Sequence, residues 1–246
     1  MLPCGRQGIG DDDVDAVARV LRGDWLTTGP SVDAFERDLE SWTGGVPAVT
    51  VTSGTAALHV AYAAAGIGAG DEVVTTPMTF IATASCASML GATVVFADVE
   101  PDTANIDPEA VAAAVTERTR VVAGVDYSGH PIDIDRLRPV ADSVGALLLE
   151  DAAHSIGSTY KGRPVGSLAD ITTFSFFPTK NITTAEGGAV SALDADLLLR
   201  ARRFRTIGLV RDPASLRFPD EGPWHQEVHE FGLNYRLPDV LCALGS

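Results

Sequence analysis

The chain has 246 residues, 33 acidic against 18 basic, a formal charge of −15, and 46% hydrophobic against 21% charged residues. That is too apolar for a disordered chain and long enough for one large core or for one core and a fragment of another, while the negative field argues against nucleic acid or a membrane surface as partner. Cys4, Cys86 and Cys242, with no CxxC pair and no histidine cluster beside them, support neither a disulfide framework nor a zinc site and point to a reducing cytoplasm.

The opening MLPCGRQGIGDDD has no apolar stretch of signal-peptide length. Asp11, Asp12 and Asp13 start a helix whose Val14, Val17, Val20 and Leu21 recur at helical spacing. The triplet reads as a solvated helix start, not a metal site. After the turn-rich WLTTGPS, a second amphipathic helix covers about 32–42. Short β-branched runs then alternate with alanine-rich helical ones. Strand PAVTV precedes a helix over 56–65, strand DEVVTT a helix after Thr79, and strand ATVVFADV a helix from Pro108. Strand TRVVAGVDY, a helix over 133–144 and strand ALLLE follow. The runs 46–70 and 73–97 carry no charge, yet Gly, Pro, Ser and Thr break both, so they read as buried α/β elements and not as membrane spans. The alternation predicts an α/β fold, a mostly parallel central sheet with helices on both faces.

Beyond Asp151, ITTFSFF and GGAVSA read as strands around a loop holding Pro178 and Lys180, and 195–205 as a helix. Residues 212–232 read as a long irregular loop, a kind that is uncommon in a compact domain unless it is functional or reaches a partner. Another helix starts at 237–239. The expected division is an N-terminal helical segment over 1–45, a large domain over 46–210, and a loop with the start of a further connection over 211–246.

In an open parallel sheet, polar groups just past the carboxyl ends of strands face the ligand crevice. Asp151 sits there after ALLLE, either as a helix cap for AAHS or as a functional acid. Lys180 lies in FSFFPTKNITTAEGG, where Glu186 is the one other charge. An amine in such surroundings is a chance surface group or a desolvated nucleophile. In TSGTAAL, Ser53, Gly54 and Thr55 stand between a strand and a helix, either as an ordinary cap or as a phosphate cradle. Together these supply what pyridoxal phosphate requires: a phosphate anchor, an acid for the ring nitrogen and an amine for the Schiff base. No GxGxxG follows the first strand, which excludes a Rossmann dehydrogenase. His59 reads as a core-facing helix residue, His225 and His229 as loop polar groups, and Cys86 as a small buried side chain.

SGTAALHVA, GDEVVTTPMTFIATA, GATVVFADV, EDAAHSIG, FSFFPTKNITTAEGGAV and GLNYRLPD resemble, in order, motifs of the DegT/DnrJ/EryC1/StrS sugar aminotransferases, which are fold-type I pyridoxal phosphate enzymes. PCGRQGI, VLRGDWLTTGP and VDYSG look most like the branch that aminates C4 of UDP-linked 4-keto-6-deoxy N-acetylhexosamines on the way to pseudaminic acid. The resemblance implies that Lys180 bonds the coenzyme aldehyde and Asp151 the pyridinium N–H. It implies that Gly54, Thr55, Ala56 and Ser175 hold the phosphate and that Phe80 stacks on the ring. His154, which a helix would place on the same face as Asp151, would touch the coenzyme O3′ or brace that acid. Asn234 would reach the phosphate of a neighbouring subunit's coenzyme, which makes the assembly a homodimer.

The implied reaction moves an amino group from an amino acid, by family habit glutamate, to the keto carbon of a nucleotide-linked sugar. The family continues past NYR into a smaller C-terminal domain, which this chain is read as lacking, so weak or partner-dependent activity is expected. A catalytically silent partner or regulatory subunit is the alternative. Phe177 stands where many relatives have histidine. Lys180 itself separates the chain from dehydratase relatives, which have histidine at that position.

Overall fold

The computed structural model describes residues 5–246, and Cys4 lies outside them. Helix α1 (Asp11–Arg22) opens on the acidic triplet and ends on Arg19 and Arg22, so the charges at both ends complement the helix dipole. Helix α2 (Pro30–Trp42) has proline in its first turn, where no backbone donor is lost. There follow β1 (Ala48–Val51), α3 (Gly54–Ala64), β2 (Glu72–Thr75), α4 (Ala82–Met89), β3 (Thr93–Phe96), α5 (Pro108–Ala114) and β4 (Thr119–Val125). Next come α6 (Ile134–Ser143), β5 (Leu147–Asp151) and a small hairpin of β6 (Thr159–Tyr160) and β7 (Arg163–Pro164). The last elements are β8 (Ile171–Ser175), β9 (Gly188–Ala192), α7 (Ala195–Arg205), β10 (Leu209–Val210), β11 (Glu227–Val228) and α8 (Asp239–Gly245). The alternation expected from the sequence is therefore present, with ends shifted by a residue or two.

Among the described residues one seven-stranded sheet runs in the order β1-β9-β8-β5-β4-β2-β3. The pairs from β8 across to β3 are parallel, and β9 is antiparallel to both β8 and β1. Side chains alternate between the faces. Val73, Val121, Ala123 and Leu149 pack against α3, α4 and α7. Their neighbours Val74, Val122 and Leu148 pack against α2, α5, α6 and α8. Leu137 and Leu148 are fully buried, and each such side chain contributes about 1.5–3 kcal/mol. Glu36 of α2 accepts from the Thr50 N–H at 3.0 Å and from Arg205 Nη1 at 2.6 Å, which pins α2 and α7 to β1.

One expectation needs correction. No helix follows Asp151. Ala152 still donates to Thr173 O at 2.9 Å as part of the sheet edge, Ser155 Oγ is tied to Asp126 Oδ2 at 2.5 Å, and Gly157 turns at φ +84°. These bonds hold 152–158 as successive turns. The segment 212–232 is largely irregular, as expected, but it is anchored. β10 pairs with β11, and Glu227 accepts from the Arg217 and Phe218 N–H groups, each at 2.8 Å, and contacts the rings of His225 and His229. No helix among the described residues is long and apolar enough to cross a membrane.

Candidate active site

Sheet register assembles the site. Val51, at the end of β1, pairs with Gly188, and Gly188 pairs with Ser175 at the end of β8. Asp151, at the end of β5, pairs with Thr173. The chain leaving β1 thus turns into α3 directly beside Ser175, so close that a Cβ on Gly54 would lie 2.8 Å from Ser175 Cβ. Glycine is required there by the approach of the two chains.

Ser53 caps α3 by accepting the Ala56 N–H at 3.1 Å. Gly54 and Thr55 occupy the first two positions of the helix, where an N–H has no partner inside the helix, and they point the positive end of its dipole out of the fold. These groups line a cavity of about 430 Å³ together with Phe80, Asp151, Ser175 and Lys180. Phe80 is 74% exposed, an unusual place for phenylalanine unless something covers it. Ala56 is buried off the cavity wall, and its N–H is already used by the Ser53 cap.

Asp151 caps no helix. Its Oδ1 carries a 3.3 Å contact from the Ala153 N–H, and its Oδ2 accepts from Thr83 Oγ1 at 2.7 Å. Burial pushes this carboxyl above its ordinary range, opposed by the Thr83 hydrogen bond, the Ala153 N–H and the charge of Lys180. Burial likewise lowers the Lys180 amine, with Asp151 opposing. Lys180 Nζ stands 2.7 Å from His154 Nε2, and burial followed by the lysine charge lowers that imidazole. His154 reaches the lysine from the turns after β5, since no helical face exists there. Asn234 is exposed at a bridge with Thr206 and is not part of this cavity wall.

The sequence reading missed several participants. Thr79 and Thr83 link their hydroxyls at 2.7 Å and Thr83 donates on to Asp151, so a pair of hydroxyls ends on that acid, while Tyr62 separately donates to the Thr83 backbone carbonyl at 2.8 Å. Thr173 lines the cavity with a buried hydroxyl that has no partner. Glu186 lines it as well. Hydroxyl residues recurring inside charge-free stretches were the available signal. His59 is buried against Tyr235, with Nδ1 3.1 Å from its hydroxyl, and Cys86 is buried, both as read from the sequence.

The DegT/DnrJ/EryC1/StrS aminotransferase profile matches residues 7–246. The chain belongs to this family. The Bacillus subtilis spore coat polysaccharide biosynthesis protein SpsC is 42% identical over 244 residues, 99% of this chain and 62% of that protein. A UDP-4-amino-4-deoxy-L-arabinose–oxoglutarate aminotransferase from Shewanella sediminis is 38% identical over 243 residues, with 99% and 62% of the two chains covered. Among solved structures, Helicobacter pylori PseC, an aminotransferase involved in the biosynthesis of pseudaminic acid, superposes with a TM-score of 0.91 at 32% identity, covering 99% of this chain and 63% of its own. The chain therefore spans about 62% of the length of the curated relatives it matches. Its mostly parallel sheet and helix layers match the fold-type I aminotransferases among these solved structures. Family aminotransferases depend on pyridoxal phosphate, and solved members include PLP and PMP forms. The residues present fit that coenzyme. A glycine cradle and unpaired helix N–H groups suit its phosphate, a buried acid its ring nitrogen, the partnerless Thr173 hydroxyl a polar ring substituent, and an amine lowered by burial its aldehyde.

Proposed function

We propose that this protein transfers the amino group of an amino acid, glutamate by family habit, to the keto carbon of a nucleotide-linked deoxy sugar. C4 of a UDP-linked hexosamine on the way to pseudaminic acid is the specific reading. The observation that carries it is the convergence of Lys180, Asp151 and the α3 N-terminus on one cavity at the carboxyl ends of β1, β5 and β8. The likeness to PseC and the UDP-sugar named in the Shewanella relative support the substrate class.

When bound, pyridoxal phosphate supplies an electron sink for breaking and remaking the C–H bond beside the transferred nitrogen. The chain does the rest. Gly54 and Thr55 N–H groups and the Ser175 hydroxyl hold the phosphate, and Phe80 covers the ring. Asp151 pairs with the ring nitrogen, and this charge partner reverses the cost of ionising a buried acid. Lys180 Nζ holds the coenzyme and, once displaced by substrate, takes the proton from the donor Cα. A lysine whose proton is held less tightly because it is buried, with His154 at 2.7 Å to share its hydrogen, is suited to both roles. Asn234, outside the cavity of its own chain, would serve the phosphate site of a second copy in a homodimer.

An absorbance scan of the purified protein with coenzyme tests this. The expected result is a yellow band that borohydride or Lys180→Ala abolishes and that glutamate converts to the pyridoxamine spectrum. A band that glutamate leaves unchanged would favour the silent subunit, and no band at all would remove the enzymatic reading.

A further inference from the structure

Beyond the donors proposed for the coenzyme phosphate, the first cavity offers little to a further anion. Its ionisable lining groups are Asp151, Lys180 and Glu186. With Lys180 and Asp151 engaged by the coenzyme, the remaining charge on the wall is negative. Both proposed substrates are anions, an amino acid carboxylate and a sugar diphosphate, and the net charge of −15 offers them no general attraction. A local cation is needed close to the reacting carbon.

A second cavity, of about 390 Å³, shares Thr179 and Lys180 with the first and is lined by Arg6, Gln7 and Asn181. The segment bearing Arg6 rests on the lysine loop, since a Cβ on Gly5 would lie 3.9 Å from Thr179 Cβ. Among the described residues Arg6 makes no ion pair and no side-chain hydrogen bond. Asp13, the acid in the same cavity, has its Oδ2 taken by the Gly10 N–H at 2.7 Å. The guanidinium fork is therefore unspent, and its planar donors match a carboxylate or a phosphate in two-point contact. The Gln7 and Asn181 amides add uncharged donors on the same wall.

We propose that Arg6, flanked by Gln7 and Asn181, binds an oxyanion of the substrate beside Lys180: a carboxylate of the amino donor or the diphosphate of the nucleotide sugar. The inference rests on the aminotransferase reading above. Two arms distinguish the sources. One follows conversion of the coenzyme band by glutamate alone at increasing concentration, and the other measures UDP binding by calorimetry, each for wild type, Arg6→Gln and Arg6→Lys. If the carboxylate docks there, Arg6→Gln raises the half-saturating glutamate concentration by roughly 10-fold or more, the effect of losing a charge-assisted contact. The maximal rate and the coenzyme band stay unchanged, and Arg6→Lys recovers part of the loss. If the diphosphate docks there, the UDP dissociation constant rises instead by a similar factor. An Arg6→Gln protein that keeps its coenzyme and matches wild type in both arms overturns the assignment. A wild type that takes no coenzyme, or whose band glutamate does not convert, overturns the aminotransferase reading and this inference with it.

Discussion

Thr83→Val isolates the bond that governs Asp151. The substitution changes the shape little and removes one hydroxyl. Thr83 Oγ1 has a single hydrogen and three oxygen neighbours: Asp151 Oδ2 at 2.7 Å, Thr79 Oγ1 at 2.7 Å and Phe80 O at 3.2 Å. The ionised carboxylate is the strongest acceptor, so the hydrogen points to Asp151 and Thr79 donates into Thr83. A buried hydrogen bond to a charged group contributes about 1.5–3 kcal/mol. Its loss moves a proton shared between Asp151 and a facing ring nitrogen towards Asp151 by roughly 10- to 150-fold. The assay is the nitrogen NMR shift of ¹⁵N-labelled pyridoxal phosphate bound to the protein. Wild type and Thr83→Ser should show a protonated ring nitrogen, and Thr83→Val a shift towards the unprotonated form, with a lower kcat and little change in KM. A folded Thr83→Val protein whose ring nitrogen matches wild type would refute the reasoning.

Two further outcomes follow from the charges. Lys180 is held below the ordinary lysine value of 10.5 by burial, so the unfolded chain binds more protons between that lowered value and 10.5, and stability rises with pH across the window. Below the window the penalty of the buried ammonium is fully present. Lys180→Met should therefore raise the Tm of the coenzyme-free protein at pH 7, by an amount that shrinks as pH approaches 10.5; an unchanged or lower Tm at pH 7 speaks against it. Glu227 is opposed by burial, yet the Arg217 N–H, His229, the Phe218 N–H and His225 bring it down to about 2 from 4.5. Its contribution is complete above 4.5 and disappears as pH falls through about 2. Glu227→Gln should accelerate tryptic cleavage at Arg211 and Arg217 at neutral pH, and cleavage at the wild-type rate would show that this carboxylate does not hold the segment.

What the sequence disclosed was what local chemistry determines. The strand-helix alternation shows in runs a few residues long, and the Ser53 cap needs only the neighbouring Ala56 N–H. Lys180 and Asp151 stood out because charges inside apolar stretches are costly without a purpose. Thr83 did not stand out, because its meaning depends on a carboxylate 68 positions away that only the parallel register of β4, β5 and β2 brings near. The helix expected after Asp151 failed for a related reason. AAHS has the composition of a helix start, but Ala152 is still paired to Thr173 and Ser155 is tied to Asp126, contacts that no local propensity encodes.

Those contacts expose a further layer behind the site. Asp126, Glu150 and Asp151 are all buried at the carboxyl ends of β4 and β5. Burial pushes Asp126 well up, with Glu150 adding to the effect, and brings Glu150 to about 7. Asp126 accepts from the Ile132 N–H at 2.9 Å and from Ser155 Oγ at 2.5 Å, whereas Glu150 Oε1 has no partner. Neither acid faces a cation, so the cheapest state of the pair is one that keeps a proton. Asp151 differs in having Lys180 and His154 on its open side and the Thr83 hydroxyl behind it. The negative charge of the cluster is thereby concentrated on Asp151, the one of the three acids that lines the cavity, where a cationic ring can meet it.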